Sequence, residues 1–278
     1  MSKVWLITGS SEGGIGAGIA RAILEAGEKV AVTARNIAKV ESIVHDFPET
    51  AYPVTLDVTD SDSIDQAINN ILEHFGTIDV LVNNAGYCYR ASVEESDEEE
   101  VRKMFEANFF GLVNLTKKVL PIMRKKQNGT IVNFSSIAAL RANPASAFYA
   151  ATKAAVELMS SGLKREVEPL GIRVIVVEPG AFRTNFFGTS MKGAPMTIPA
   201  YKDTAWPRYP QNAINKGDQA GDPKKAGIVL QEAVNSEKPP FRLLLSQMAI
   251  DVATQEYETR LQEIDDWRDK SILTDYES

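Results

Sequence analysis

Short apolar runs alternate with helical patterns over the first 180 residues, and that alternation leaves the chain few architectures. Residues 3–8 are rich in apolar and β-branched side chains and read as a strand. Residues 15–27 read as a helix, with Ile19, Ala22, Ile23 and Ala26 on one face and Gly27 as its stop. Further strands fall at 29–33, 52–56, 79–83, 130–134 and 173–177. Helical patterns at 37–46, 61–75, 96–127 (broken near Asn108) and 146–170 separate them. Strands that are apolar almost throughout are buried on both faces, so the sheet is expected to be parallel, with helices above and below. Right-handed crossovers then give an α/β, doubly wound sheet.

Residues 182–220 break the pattern. They hold Phe182, Phe186, Phe187, Tyr201, Trp206 and Tyr209 among many Gly and Pro residues. Long loops inside a domain are often functional, so this stretch is expected to be a mobile substrate lid with few ladder hydrogen bonds. Gly188, Gly193 and Gly217 are its candidate flexible points. Asp222 and Pro223 then start a helix to about Ser236, residues 241–245 read as a seventh strand, and 250–267 as a charged amphipathic helix. With no linker and no repeat, the expectation is one domain over 1–278, with a C-terminal helical extension at 247–278.

Composition excludes several function classes. Thirty Lys and Arg against 37 Asp and Glu leave a net charge of -7, which argues against a nucleic-acid binder. No apolar run reaches the ~18 residues of a membrane span. The start of the chain reads straight into a strand rather than a signal peptide, and Cys88 stands alone, so a reducing, cytoplasmic setting is expected. Two histidines and one cysteine make a zinc site of the His/Cys type improbable, and no metal is expected. The acidic run at 94–100 reads as a helix start, with Ser96 and Glu99 as a capping box.

The first strand leads through a glycine-rich loop, Thr8 to Gly16, into a helix. Glycines let the backbone approach a pyrophosphate, and the helix N-terminus offers it free N–H groups. The second strand ends on Thr33-Ala34-Arg35, where an acid would hold the ribose hydroxyls of NAD. An arginine there can pair instead with a 2′-phosphate, so NADP(H) is expected over NAD(H).

These residues, with others in the same order, resemble the short-chain dehydrogenase/reductase family from Lys3 to Phe187. Thr8-Gly9 with Gly14-Ile15-Gly16 resembles the cofactor loop, Leu56-Asp57-Val58 the turn that touches adenine, and Asn83-Asn84-Ala85-Gly86 the motif after the fourth strand. Asn108, Ser136, Tyr149 and Lys153 resemble the catalytic tetrad, and the segment from Pro179 and Gly180 to Thr184 the nicotinamide clasp. The resemblance implies a Rossmann-type fold with seven mainly parallel strands. It implies cofactor contacts from Gly9, Ser11, Gly14, Ile15, Gly16, Arg35, Asp57, Val58, Asn84, Ala85, Gly86, Pro179, Gly180, Phe182 and Thr184, besides Tyr149 and Lys153. Asn83 is expected to stitch the sheet. By the same resemblance Ser136 orients a substrate carbonyl and Asn108 holds a water beyond Lys153.

The chemistry also follows from the residues. Tyr149 and Lys153 are four apart on a helix and share a face. A nearby ammonium favours the phenolate, so Lys153 is expected to lower the Tyr149 pKa. Two departures from the family stand out. Four residues separate Gly9 from Gly14 where three are usual, which puts the contacts of Ser10, Ser11 and Glu12 in question. Tyr87-Cys88-Tyr89 follows the fourth-strand motif where small residues are usual, and Cys88, with no basic neighbour evident, reads as packed rather than reactive.

The leading expectation is an NADP(H)-dependent carbonyl reductase or alcohol dehydrogenase acting on a bulky apolar substrate. Arg183, Lys192, Lys202 and Arg208 are the few candidate anion anchors in the lid. The alternatives are a non-catalytic NADP(H)-binding regulator on the same fold, and a 3-oxoacyl or acyl-dihydroxyacetone-phosphate reductase. The helices at 108–127 and 146–170 resemble the pair that joins family subunits into a homodimer or homotetramer.

Overall fold

The computed structural model describes residues 2–186, 190–211 and 217–276. Seven parallel strands form its central sheet in the order β3-β2-β1-β4-β6-β7-β9. They are β1 (Val4–Ile7), β2 (Lys29–Ala34), β3 (Ala51–Thr55), β4 (Val80–Asn83), β6 (Gly129–Phe134), β7 (Ile172–Pro179) and β9 (Arg242–Leu245). The fold expected from the sequence is therefore the fold found, a doubly wound Rossmann-type sheet.

Side chains alternate along each strand and feed two cores. Trp5 and Ile7 point to one face, where helices α1 (Ile15–Glu25), α2 (Glu41–Asp46) and α7 (Pro223–Asn235) bring Ile19, Ile23, Ile43 and Leu230. Leu6 points to the other, against α3 (Ser61–Phe75), α5 (Gly111–Lys126) and α6 (Ala147–Val167) through Ile64, Ile71, Leu115 and Leu163. A short helix α4 (Glu98–Phe105) runs into α5 through a π-helical turn, Glu106–Phe110, at the break expected near Asn108.

The polar stitching expected of Asn83 is present. Its Nδ2 donates to Asn133 Oδ1 at 2.9 Å, and Asn133 Nδ2 donates to Ser160 Oγ at 2.8 Å. This buried relay ties β4, β6 and α6 together.

The structure corrects the sequence reading in four places. The 37–46 helix is a 3-10 turn, Ile37–Val40, followed by α2. The cap of α4 is Asp97, whose carboxylate accepts from Glu100 N at 2.9 Å, while Ser96 Oγ turns back to Val93 O. A second, two-stranded parallel ribbon pairs β5 (Cys88–Arg90) with β8 (Met191–Gly193), so the stretch expected to have few ladder bonds contains a three-residue strand. Helix α8 runs over Gln247–Ser271, longer at both ends. Only Ala249, Val252 and Ala253 of α8 are buried. Phe187 and Gly188, named for the lid, lie outside the described residues.

Helices α1 and α7 touch closely because Gly227 has no side chain. A Cβ there would sit 2.7 Å from Ala22 Cβ and 2.8 Å from Ile19 Cα. Gly227→Ala is expected to wedge α7 off α1 and destabilise the fold by ~1–3 kcal/mol, read as a lower denaturant midpoint; an unchanged midpoint would refute this contact.

Candidate active site

At the carboxyl ends of the strands lies a cavity of about 970 Å³. It opens where the sheet reverses its winding, between β1 and β4, the usual ligand crevice of such sheets. Its walls carry most of the residues expected. Gly9, Ser11, Gly14 and Ile15 line it from the loop, and Arg35, Asp57 and Val58 from the turns after β2 and β3. Asn84, Ala85 and Gly86 line it after β4, Tyr149 and Lys153 from α6, and Pro179 and Thr184 after β7.

The loop is held by close approach and hydrogen bonds. Gly9 has φ +70, and a Cβ on Gly16 would lie 2.4 Å from Gly9 O and 2.6 Å from Asn84 Nδ2. Only glycines fit such a cradle. The extra loop residue is absorbed on the outside. Ser10 is buried and donates to Ile7 O, while Glu12 turns outward to pair with Arg21 at 2.5 Å. A phosphate-bearing cofactor fits this geometry: bare backbone at the N-terminus of α1, and Arg35 exposed at the rim, paired with no carboxylate among the described residues.

Five expected residues stand outside the cavity wall. Gly16 packs the helix onto the loop. Phe182 is buried in the first core and bridges to Gly221, and Gly180 N donates to Leu245 O at 3.1 Å. Asn108 is buried. Its Oδ1 accepts from Tyr87 N at 2.9 Å, and its Nδ2 donates to Tyr87 O at 2.9 Å and Thr152 Oγ1 at 3.2 Å. Ser136 sits just behind the wall and hydrogen-bonds the Tyr149 phenol.

Tyr149 and Lys153 stand together. Lys153 Nζ lies 5.8 Å from the centroid of the Tyr149 ring and donates to Phe134 O at 2.8 Å. Burial lowers the Lys153 ammonium to about 8. The expectation for Tyr149 is reversed: burial pushes its phenol above the ordinary range and Cys88 adds to the rise, while Ser136 and Arg90 pull it back. Desolvation of a phenolate outweighs its nearby cations here.

Cys88 has basic neighbours after all, Arg90 and Lys153, yet burial dominates and keeps its thiol protonated. Sequence reasoning missed Arg90, whose charge acts on the Tyr149 phenol, and Glu95. A three-residue strand is too short to show the alternation that would have placed Arg90. Glu95 gathers the 190–211 stretch: it accepts from Thr197 N and Ile198 N (2.8 Å each), Tyr209 OH (2.7 Å) and Trp206 Nε1 (3.1 Å). No group of three or more His, Cys, Asp or Glu that could hold a metal occurs among the described residues.

A family model described as "short chain dehydrogenase" matches residues 3–194. The chain belongs to the short-chain dehydrogenase family. This dehydrogenase is 36% identical over 275 residues to Oxidoreductase BOA17 of Botryotinia fuckeliana, covering 99% of this chain and 100% of that one. It superposes on a short-chain dehydrogenase from Streptomyces avermitilis with a TM-score of 0.91 and 40% identity, covering 99% of this chain and 100% of the other. It is also similar to an alcohol dehydrogenase from Thermococcus sibiricus complexed with 5-hydroxy-NADP, with a TM-score of 0.71 and 28% identity over 88% of this chain and 96% of that one. Solved relatives hold nicotinamide cofactors of both the NADP and the NADH kind.

Partial burial pushes the Glu95 carboxyl up, but the hydrogen bonds from Tyr209, Ile198, Ser92 and Thr197 outweigh it and hold the group down to about 2. A carboxyl depressed on folding stabilises above its unfolded value of 4.5 and loses that contribution as pH falls towards 2. Hydrogen exchange over 190–211 is therefore expected to accelerate through that pH window. Glu95→Gln should show the fast exchange, about tenfold or more, already at neutral pH. Unchanged exchange in the variant would remove Glu95 as the anchor.

Proposed function

We propose that this dehydrogenase is an NADP(H)-dependent carbonyl reductase that converts a ketone or aldehyde to an alcohol, reversibly. The observation that carries the reading is the pairing of the Tyr149 phenol and the Lys153 ammonium on one face of α6, at the cavity wall shared with the glycine loop. A bound nicotinamide supplies hydride chemistry. Tyr149 donates its proton to the carbonyl oxygen. Its phenol is protonated at neutral pH, as proton donation in reduction requires, although burial holds it above the range that would make it a strong acid. Ser136 fixes the oxygen through its hydrogen bond to the same phenol. Lys153, poised at about 8, holds charge beside the phenol and offers its remaining donors to a cofactor ribose. Asn108 acts through Tyr87 and Thr152, shaping the floor of the site.

Cofactor contacts are assigned to the loop glycines, Ser11, Ile15, Asp57, Val58, Asn84, Ala85, Gly86, Pro179 and Thr184. Arg35 takes the 2′-phosphate, which sets the preference for NADP(H). An apolar wall for the substrate comes from Phe186, whose ring centroid lies 6.2 Å from that of Tyr149. No described helix is long and apolar enough to cross a membrane. The reading includes a cytoplasmic setting and a homodimer or homotetramer paired through α5 and α6, where Phe110 and Leu158 are exposed.

Two variants test the assignment. Tyr149→Phe should retain cofactor binding and lose ~10²-fold or more in turnover across a ketone panel; near-normal turnover would end the reading. Arg35→Ala should weaken NADPH by ~1.5–3 kcal/mol, roughly tenfold to more than a hundredfold, and NADH little. Equal losses in titrations with both cofactors would refute the phosphate role.

A further inference from the structure

The C-terminal helix α8 leaves the body of the molecule partway along its length. Ala249, Val252 and Ala253 pack its first turns on the domain. Arg141 Nη1 then reaches Gln255 Oε1 at 3.0 Å and Glu256 Oε1 at 3.6 Å, and Arg260 Nη2 donates to Leu140 O at 3.2 Å. Past Arg260 these ties end. Every residue from 261 to 276 is exposed, and among the described residues the hydrogen bonds and the ion pair of this stretch join only its own members. The helix runs on for about 16 Å beyond that point. A helix so short is marginal in water by itself, because most helix stability in proteins comes from packing an apolar face.

That face is present. Tyr257, Leu261, Ile264 and Trp267 recur at spacings of four, three and three, which makes one stripe. Leu261 is 62% exposed and Trp267 60%, and Ile272 and Leu273 are exposed at the tip. Gln262, Asp266 and Asp269 stand on the opposite side. A helix that lies on a phospholipid surface carries Lys and Arg on its polar face, so this acidic back argues against lipid as the occupant.

The charges beside the stripe fit a second copy of the same helix. Glu258 and Glu256 stand five and seven residues before Glu263, and Arg268 and Lys270 five and seven after it. A second α8 turned end for end about Glu263 sets its Arg268 by Glu258 and its Lys270 by Glu256, and the twofold axis repeats both pairs. The same turn brings Trp267 of one helix between Tyr257 and Leu261 of the other. A parallel pair would set each charge against its own kind. Area is sufficient as well. Tyr257, Leu261, Ile264, Trp267, Ile272 and Leu273 each leave on the order of 100 Å² open. Two copies would therefore cover about 1,200 Å², where the range of specific interfaces begins.

We propose that α8 is an assembly arm, through which two copies of this chain pair antiparallel about Glu263 with their apolar stripes in contact. The interface uses none of the residues assigned to the α5–α6 pairing and does not depend on the carbonyl-reductase reading.

Light scattering on the full chain at micromolar concentration tests it. Leu261→Glu with Trp267→Glu should halve the mass found for the wild type. Both side chains are exposed in the single chain, so the fold of the domain is not at stake. Amide exchange over 261–271 should be about tenfold or more slower in the wild type than in this arm variant. Spin labels on Glu263→Cys should lie close together in the assembly, and labels on Ser271→Cys roughly 25 Å apart. Cys88 is buried and stays unlabelled. Short distances at both positions would mark a parallel pair and overturn the proposal. So would an unchanged mass in the arm variant, including the case in which Leu158→Glu alone lowers it and assembly belongs to α6. Binding of the wild type to phosphatidylserine vesicles that the arm variant loses, with no change of mass, would make lipid the occupant and overturn it too.

Discussion

Thr8 and Asn84 lock the glycine loop to the strand beside it, and the site depends on that lock. Thr8 Oγ1 accepts from Asn84 N and Ala85 N at 2.9 Å each, and Asn84 Nδ2 donates to Thr8 O at 2.9 Å and Gly9 O at 3.1 Å. These bonds cross the point where the sheet reverses its winding. Without them the carbonyls of the loop would be free to turn inward, and the N-terminus of α1 would no longer face open space. The close fit of Gly16 against Gly9 O and Asn84 Nδ2 belongs to the same contact.

Helix α6, which carries Tyr149 and Lys153, is placed by a second polar set. Asn133 holds Ser160, Ser135 Oγ donates to Lys153 O at 3.2 Å, and Lys153 Nζ reaches Phe134 O. All of these come from the carboxyl end of β6 and the residue after it, so α6 is registered to the sheet at Lys153 and again about two turns on, at Ser160. The arrangement carries strain. Ala145, just ahead of α6, has φ +64, a conformation that costs a non-glycine residue of order 1 kcal/mol or more. Lys153 is buried, and desolvation lowers its ammonium to about 8.

Around this core the substrate side is built from pieces distant in sequence. Glu95, from an acidic run legible only as a helix start, binds backbone and side chains of residues 197–209. Tyr209 is wholly buried and Trp206 packs beside it, so those aromatics are taken up in packing and in bonding Glu95. Their clustering was evident in the sequence; their use was not, because nothing local indicates which side of an irregular segment faces inward.

The sequence alone determined the alternation of strands and helices, the glycine loop, Arg35 at the end of β2 and the Tyr149–Lys153 pairing. Each of these rests on short-range periodicity or on a residue type that only one backbone geometry tolerates. Tertiary structure alone decided that Phe182 belongs to the core, that Asn108 serves Tyr87, that β5 and β8 pair, and that Glu95 gathers the 190–211 stretch. It also reversed the expected direction of the Tyr149 pKa. The physical reason is the same throughout: desolvation and long-range pairing depend on what the folded chain brings within a few ångströms, and no spacing along the sequence encodes that distance.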